Sequence, residues 1–479
     1  MSNINNSAKW VSTYSFIVMM TGILQILIFS KFLTPEDFGL IAIFSSIYLI
    51  AKTFISTGFS DSIISKDNIE YLQLCTLYWI NIFVGISVSA MLYLLSPVIS
   101  QIFSNDLLEN IMKVLSLVIF ISSFSTQFEA LIRKSLQFKL LAKIQITSVI
   151  IGFFLSIILI FNGFQIWAMI IGFSFTKIMD AVILFVYFWK NDLLIEFKYN
   201  FNQVRDFLNF GMYRIVASLI NQFNAQSDQI IIGMLLGPKV LGYYFIAYQL
   251  VVQPLSRINP ILSQLAFPVF SKNKHNKDIL KRGYIKGLRV LSAINTPLLI
   301  GIFIVSPDLV PVILGPGWEQ SIILVQILSI FILLRSFGNM SVSLLLAKEK
   351  YKWPFYWNFS VFLIKPLTIF FVITVTGSIV AAAISLVALE LVFLTLNYAL
   401  YVRTLLGKIL KDLSKAVIAP ISISICMALL IYFGKYIFNI DSKILGLLIS
   451  VSVGVFFYLV VLYVYQKKVF NEIYVIFRS

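Results

Sequence analysis

The chain has 479 residues, 59% hydrophobic and 12% charged, with 44 Phe and a net charge of +16. Soluble domains carry about 25% charged residues, so this composition excludes a water-soluble enzyme and indicates a polytopic membrane protein. The apolar runs are continuous, which counts against a β-barrel, whose strands alternate between lipid and a polar lumen.

Runs of about 20 apolar residues, enough to cross the hydrocarbon core as helices, begin near Tyr14, Leu40, Leu74, Ile111, Ile144, Trp167, Gly211, Leu241, Tyr284, Ser321, Pro354, Ser378, Ala416 and Ile444, giving fourteen predicted spans. The run following "MSNINNSAKW" is too long for a signal-peptide core and is read as an uncleaved first span. Cys75 and Cys426 fall inside spans and are expected as two buried thiols. With the N-terminus in the cytoplasm, the inner loops collect nearly all the Lys and Arg, including the run "SKNKHNKDILKRGYIKGLR". The outer loops keep Lys239, Lys435 and Lys443. That asymmetry is the positive-inside rule, so both termini are placed in the cytoplasm. The basic charge is topology and gives no reason to invoke nucleic acid. The Lys-rich inner run can also meet anionic headgroups.

The sequence repeats itself. "KFLTPEDFGLI" closes the first run and "MLLGPKVLGYY" the seventh, with Pro35 and Gly39 each 203 residues before Pro238 and Gly242. "SPVISQIF" from Ser96 returns as "SPDLVPVIL" from Ser306, and Asp180 as Glu390, both at an offset of 210. Six spans per copy is an even number, so the copies are parallel and related by an axis along the membrane normal. We expect an all-α protein of two parallel six-helix lobes, 1–200 and 201–414, plus two extra C-terminal helices in 415–479. Such lobes leave a cleft between them, the architecture of a carrier. The outer loops are short apart from those after Ser96 and Ser306, leaving no room for an external catalytic domain. No catalytic residue, metal cluster, phosphate loop or dinucleotide fingerprint is read, so neither an enzyme nor a bound cofactor is expected. His275 lies in the Lys-rich loop and is read as solvated.

Ionisable residues inside spans cost about 2.5–3.5 kcal/mol each on insertion scales, so each needs a partner, a wet cavity or a route to the interface. Lys31 and Lys113 lie near span ends and can snorkel. Lys52 and Arg257 occupy nearly equivalent places in the second and eighth spans, at an offset of 205. Across a cleft they would hold a diphosphate; alternatively they neutralise helix C-termini. Gln222, Asn224 and Gln226 suit either sugar hydroxyls or helix-to-helix hydrogen bonds. Arg214 and Asp228 are too far apart on the seventh span to pair with each other. Lys177 and Asp180 are three residues apart and can pair; for them and Glu390, structural neutralisation competes with ion coupling. Arg335 and Lys365 have no obvious local partner, which suits an anionic substrate.

The stretches "FLTPEDFGLIAIFSSIYLIAKTFISTGFSDSIISK", "ALIRKSLQFKLLAKIQI", "QSDQIIIGMLLGPKVLGYYFIAYQL" and "FPVFSKNK" resemble the polysaccharide flippase (Wzx) branch of the multidrug/oligosaccharidyl-lipid/polysaccharide (MOP) exporter superfamily. The likeness runs from about Ala8 into the twelfth span. It implies a V-shaped pair of lobes moving undecaprenyl-diphosphate-linked oligosaccharide, for O-antigen, capsule or exopolysaccharide, from the inner to the outer leaflet of the bacterial cytoplasmic membrane. Alternating access would be driven by a proton or sodium gradient. It moves Lys52, Arg214, Asp228 and Arg257 forward as cavity residues, with Asp228 the first coupling acid. It implies a groove for the polyprenyl tail beside the two extra helices. It also implies a glycan polymerase and a chain-length regulator as partners, beside the membrane lipids. Two other readings stay open: a multidrug exporter of the same superfamily, which would favour acidic cavity residues, and a membrane glycan polymerase, against which the short outer loops count.

Overall fold

The computed structural model describes residues 2–56, 60, 63–64, 69–191, 195–350, 352–438, 442–467 and 469–472. The side chains of 2–8, 202, 206, 208–210, 257–258, 260–266, 436 and 438 lie outside that description. Among the described residues the protein is all-helical. Its helices are α1 (Ser2–Phe29), α2 (Pro35–Ser56), α3 (Tyr71–Ile102), α4 (Leu107–Lys134), α5 (Phe138–Phe161), α6 (Ile166–Lys190), α7 (Arg205–Lys272), α8 (Lys277–Leu314), α9 (Gln320–Ala347), α10 (Lys352–Thr376), α11 (Ile379–Asn397), α12 (Leu410–Phe438) and α13 (Lys443–Tyr465). Among the described residues, thirteen helical stretches are long and apolar enough to cross a membrane, one of them the 46-residue Gly211–Ser256.

That long stretch holds the seventh and eighth expected spans. At about 1.5 Å per residue the 68 residues of α7 would be about 100 Å long, three times a hydrocarbon core. Gly237 divides it, with φ 81° and ψ 168°, a backbone state that a side chain disfavours. The first repeat reaches the same break by other means. The position equivalent to Gly237 is Thr34, whose backbone N–H and hydroxyl donate to Asp37 Oδ2 at 2.8 and 2.7 Å, while its Oγ1 accepts from the Asp37 N–H at 3.3 Å. A helix then starts at Pro35, where a missing N–H costs nothing.

The Ser-Pro segments, read from sequence as loops of some length, are helical instead. Pro97 lies inside α3 and Pro307 inside α8. Each proline lacks the N–H that would have bonded the carbonyl four residues back, Tyr93 or Phe303. In each copy the preceding serine fills that place: Ser96 Oγ donates to the Tyr93 carbonyl at 2.8 Å and Ser306 Oγ to the Phe303 carbonyl at 2.8 Å. Both serines are fully buried.

The chain forms two compact units, Met1–Gly242 and Tyr243–Ser479. In the first, α3 packs on α4, α5 on α6, α1 on α5, and α4 on α6. Phe128 lies at the centre of one core cluster, stacked on Phe188 with ring centroids 4.3 Å apart. In the second, α8 packs on α9, α12 and α13, and α9 and α10 pack on α11. Here Lys274, Lys281 and Lys286 from the basic run reach Glu349 (2.6 Å), Asp412 (3.0 Å) and Glu472 (3.1 Å), so these lysines are engaged within the protein. Cys75 is buried as expected, but Cys426 is exposed. It sits on α12, which is held by α8 and α13 and leaves much of its surface outward.

Candidate functional site

Within the first unit, α2 and α7 meet through backbone. A Cβ on Gly39 would stand 1.8 Å from the Pro238 carbonyl oxygen, and one on Gly242 would stand 1.6 Å from that of Pro35. Each copy's proline carbonyl thus sits over the other's glycine, a reciprocal contact that only glycine admits. Farther along the same helices, Ser46 Oγ lies 3.1 Å from Gln226 Oε1 and 3.3 Å from Gln229 Oε1. The expected sugar contact Gln226 therefore has a helix-to-helix hydrogen bond. Asn224, Ser227, Asp228 and Gln229 are all buried, Asp228 with 1% of its surface exposed, and Gln222 is half-buried. Arg214, more than three turns earlier, is exposed.

A second polar cluster in this unit joins α2, α4, α5 and α6. Lys177 Nζ lies 3.6 Å from Asp180 Oδ2, both side chains largely buried. Lys52, Glu129 and Ser148 also act on the Asp180 carboxyl, whose Oδ1 is buried without a hydrogen-bond partner. Lys177 lies 5.8 Å above the Phe173 ring, and Phe173 meets Tyr48 edge-on at 4.9 Å. Lys52 is 6.0 Å from the Tyr48 ring. Glu129 is in turn held by Arg133 at 2.5 Å. Lys52 is therefore placed in a group of three cations, Lys52, Lys177 and Arg133, and two acids, Asp180 and Glu129. The side chain of its expected counterpart, Arg257, lies outside the described residues.

In the second unit, Arg335 of α9 and Lys365 of α10 both act on the Glu390 carboxyl of α11. Lys365 is 6% exposed, and the Arg335 guanidinium lies 6.0 Å from the Phe331 ring. The two cations that the sequence left without a local partner thus both act on one acid. The same unit holds an apolar groove of about 520 Å³ between α8, α9 and α12, lined among others by Leu299, Phe303, Ile425, Leu429 and Tyr432. Lys435 fastens α12 there by an ion pair of 2.5 Å to Asp308 of α8.

Sequence reasoning missed Glu129, Ser148, Tyr48 and Ser46. Glu129 reads as a simple i, i+4 partner of Arg133, and the others carry no charge. The only available signal was a polar residue recurring inside an apolar run.

Residues 28–323 match the family described as "Polysaccharide biosynthesis protein". The chain belongs to this family. Within the polysaccharide biosynthesis family, it is 29% identical to the teichuronic acid biosynthesis protein TuaB of Bacillus subtilis, over 96% of this chain and 95% of that one. It is 30% identical to the lipopolysaccharide biosynthesis protein WzxC of Escherichia coli, over 84% and 81% of the two chains. Among solved structures, it superposes on the lipid II flippase MurJ in its inward closed conformation with a TM-score of 0.75, at 16% identity over 95% and 98% of the chains. The resemblance read from the sequence holds: a family member with the MOP-superfamily fold, a multi-pass membrane protein.

Proposed function

We propose that this protein carries an undecaprenyl-diphosphate-linked oligosaccharide, the repeat unit of an O-antigen, capsule or exopolysaccharide, from the inner to the outer leaflet of the bacterial cytoplasmic membrane. The observation that carries the reading is the near full-length match to relatives named for teichuronic acid and lipopolysaccharide biosynthesis, on a fold shared with a lipid II flippase. The two lobes, 1–200 and 201–414, work by alternating access, with both termini in the cytoplasm. The diphosphate is met by cations, and the placing of both Arg335 and Lys365 near Glu390 supports an anionic cargo over a cationic drug. Lys52, Arg214 and Arg257 join them, with Gln222 and Gln226 toward the sugars. The groove along α12 suits the polyprenyl tail, since its lining is almost wholly apolar and a hydrocarbon chain gains there what it would gain in lipid. A proton or sodium gradient drives the cycle through Asp228, Asp180 or Glu390. The glycan passes to a polymerase and a chain-length regulator.

The test is to delete the gene and probe which leaflet holds the lipid-linked glycan. It is expected to accumulate on the cytoplasmic side. Appearance outside at the normal rate, with no second carrier present, refutes the reading.

A further inference from the structure

The apolar groove has a twin. In the first unit, α3 and α4 enclose a groove of about 480 Å³. Its walls are repeat equivalents of the groove at α12: Ser89 and Tyr93 precede Leu299 and Phe303 by 210 residues, and Ser116 and Phe120 precede Ser329 and Leu333 by 213, the spacing between the starts of α4 and α9. The twins differ in two respects. The second-unit groove has a third wall from α12, whereas the first-unit groove is lined by α3 and α4 alone. The first is also polar at one end. Lys113 Nζ lies 2.6 Å from Glu109 and 5.9 Å from the Tyr93 ring, with 36% and 38% of the Lys113 and Glu109 side chains exposed. The other end is Ile86 and Phe120.

Depth fixes what such a groove meets. The 28 residues of α4 span about 42 Å, so a helix centred on a hydrocarbon core of about 30 Å projects about 6 Å beyond it at each end. Lys113 is six residues from the start of α4, about 9 Å, so its backbone lies about 3 Å below the edge of that core and its long side chain reaches up to headgroup level, with the apolar trough below it.

We propose that this groove binds a zwitterionic aminophospholipid. Its phosphate takes the place of Glu109 on Lys113, its ammonium takes the Glu109 carboxylate, and an acyl chain lies along Ile86, Leu117 and Phe120. An anionic headgroup satisfies Lys113 but sets a second negative charge beside Glu109. A diphosphate lipid does so more strongly, which separates this site from the cargo path. The inference does not depend on which glycan, if any, the protein carries.

The full chain, purified and delipidated, is titrated with phosphatidylethanolamine and with phosphatidylglycerol of the same acyl chains, and binding is read by native mass spectrometry. The wild type is expected to prefer phosphatidylethanolamine by about three- to five-fold, the scale of one charge contact near a surface. Glu109→Gln raises phosphatidylglycerol binding to the level of phosphatidylethanolamine, and Lys113→Met weakens both. Ser89→Leu, which copies the second-unit residue and leaves the ion pair intact, reduces binding of both lipids, so a folding defect at the pair is not the only readout. Equal or tighter binding of phosphatidylglycerol by the wild type overturns the proposal. So does a preference unchanged in Glu109→Gln and Lys113→Met, or a photo-cross-linker at Leu117 that captures a protein helix instead of lipid in native membranes.

Discussion

Replacing Gly39 by alanine tests the reciprocal backbone contact between α2 and α7. The added Cβ would lie 1.8 Å from the Pro238 carbonyl oxygen, against the 3.0 Å below which real Cβ atoms essentially never approach. The helices must therefore part by at least 1.2 Å at this point, and the obstacle is main chain, which has no rotamer to change. Overpacking of this kind costs about 1–3 kcal/mol, and a clash with backbone belongs at the upper end. Against it stands the usual gain of about 1 kcal/mol when a helical glycine becomes alanine. The net expectation is a loss of about 2 kcal/mol, read as a lower thermal midpoint of the purified protein in detergent. Gly242→Ala, with 1.6 Å of clearance, should behave likewise, and the double variant should cost less than the sum because one separation relieves both overlaps. Gly434 supplies the control. It is helical with nothing within 4 Å of its Cβ position, so Gly434→Ala should be neutral or stabilising. A Gly39→Ala protein as stable as Gly434→Ala would refute the contact, because propensity would then be acting alone.

Further outcomes follow from the other contacts. Ser96→Ala should cost about 1 kcal/mol, one net hydrogen bond, but almost nothing when Pro97 is also alanine, because the restored N–H then bonds the Tyr93 carbonyl; a thermal double-variant cycle reads the difference. Lys435→Met leaves the half-buried Asp308 carboxylate without its 2.5 Å partner and should lower the thermal midpoint, while exchanging the two charges should restore most of it. Lys274 beside Glu349 holds that carboxyl below its ordinary value of 4.5. A lowered pKa in the folded state makes its contribution complete above the ordinary value, and the contribution fades as pH falls through the lowered one. Stability measured from pH 6 downward should therefore decline more gently below about pH 4.5 in Lys274→Met than in the wild type.

The elements were legible because lipid demands continuous apolar helices, and every expected span start falls within a helix except Ser378, which caps the start of α11. The repeat was legible because Pro35, Gly39, Pro238 and Gly242 answer to backbone geometry, which tolerates few residue types. What stayed hidden depends on which helices face one another. Arg335, Lys365 and Glu390 come from three helices, and nothing in their spacing announces a shared acid. Gln226 offered two readings until Ser46 was found opposite it, and Cys426 was misplaced because hydrophobicity does not tell a protein interior from lipid. The boundary between the seventh and eighth spans, inside α7, falls on one residue, Gly237, whose left-handed backbone no neighbouring residue type announces.

The paired serines before Pro97 and Pro307 carry a mechanical consequence. A proline in a membrane helix ordinarily borrows a neighbour's donor for its abandoned carbonyl, and that loan ties the bend to the neighbour. Here the donor comes from the adjacent residue of the same strand of backbone. Bending α3 or α8 at these points therefore leaves the Tyr93 or Phe303 carbonyl with its donor, because that bond lies wholly inside the helix that bends.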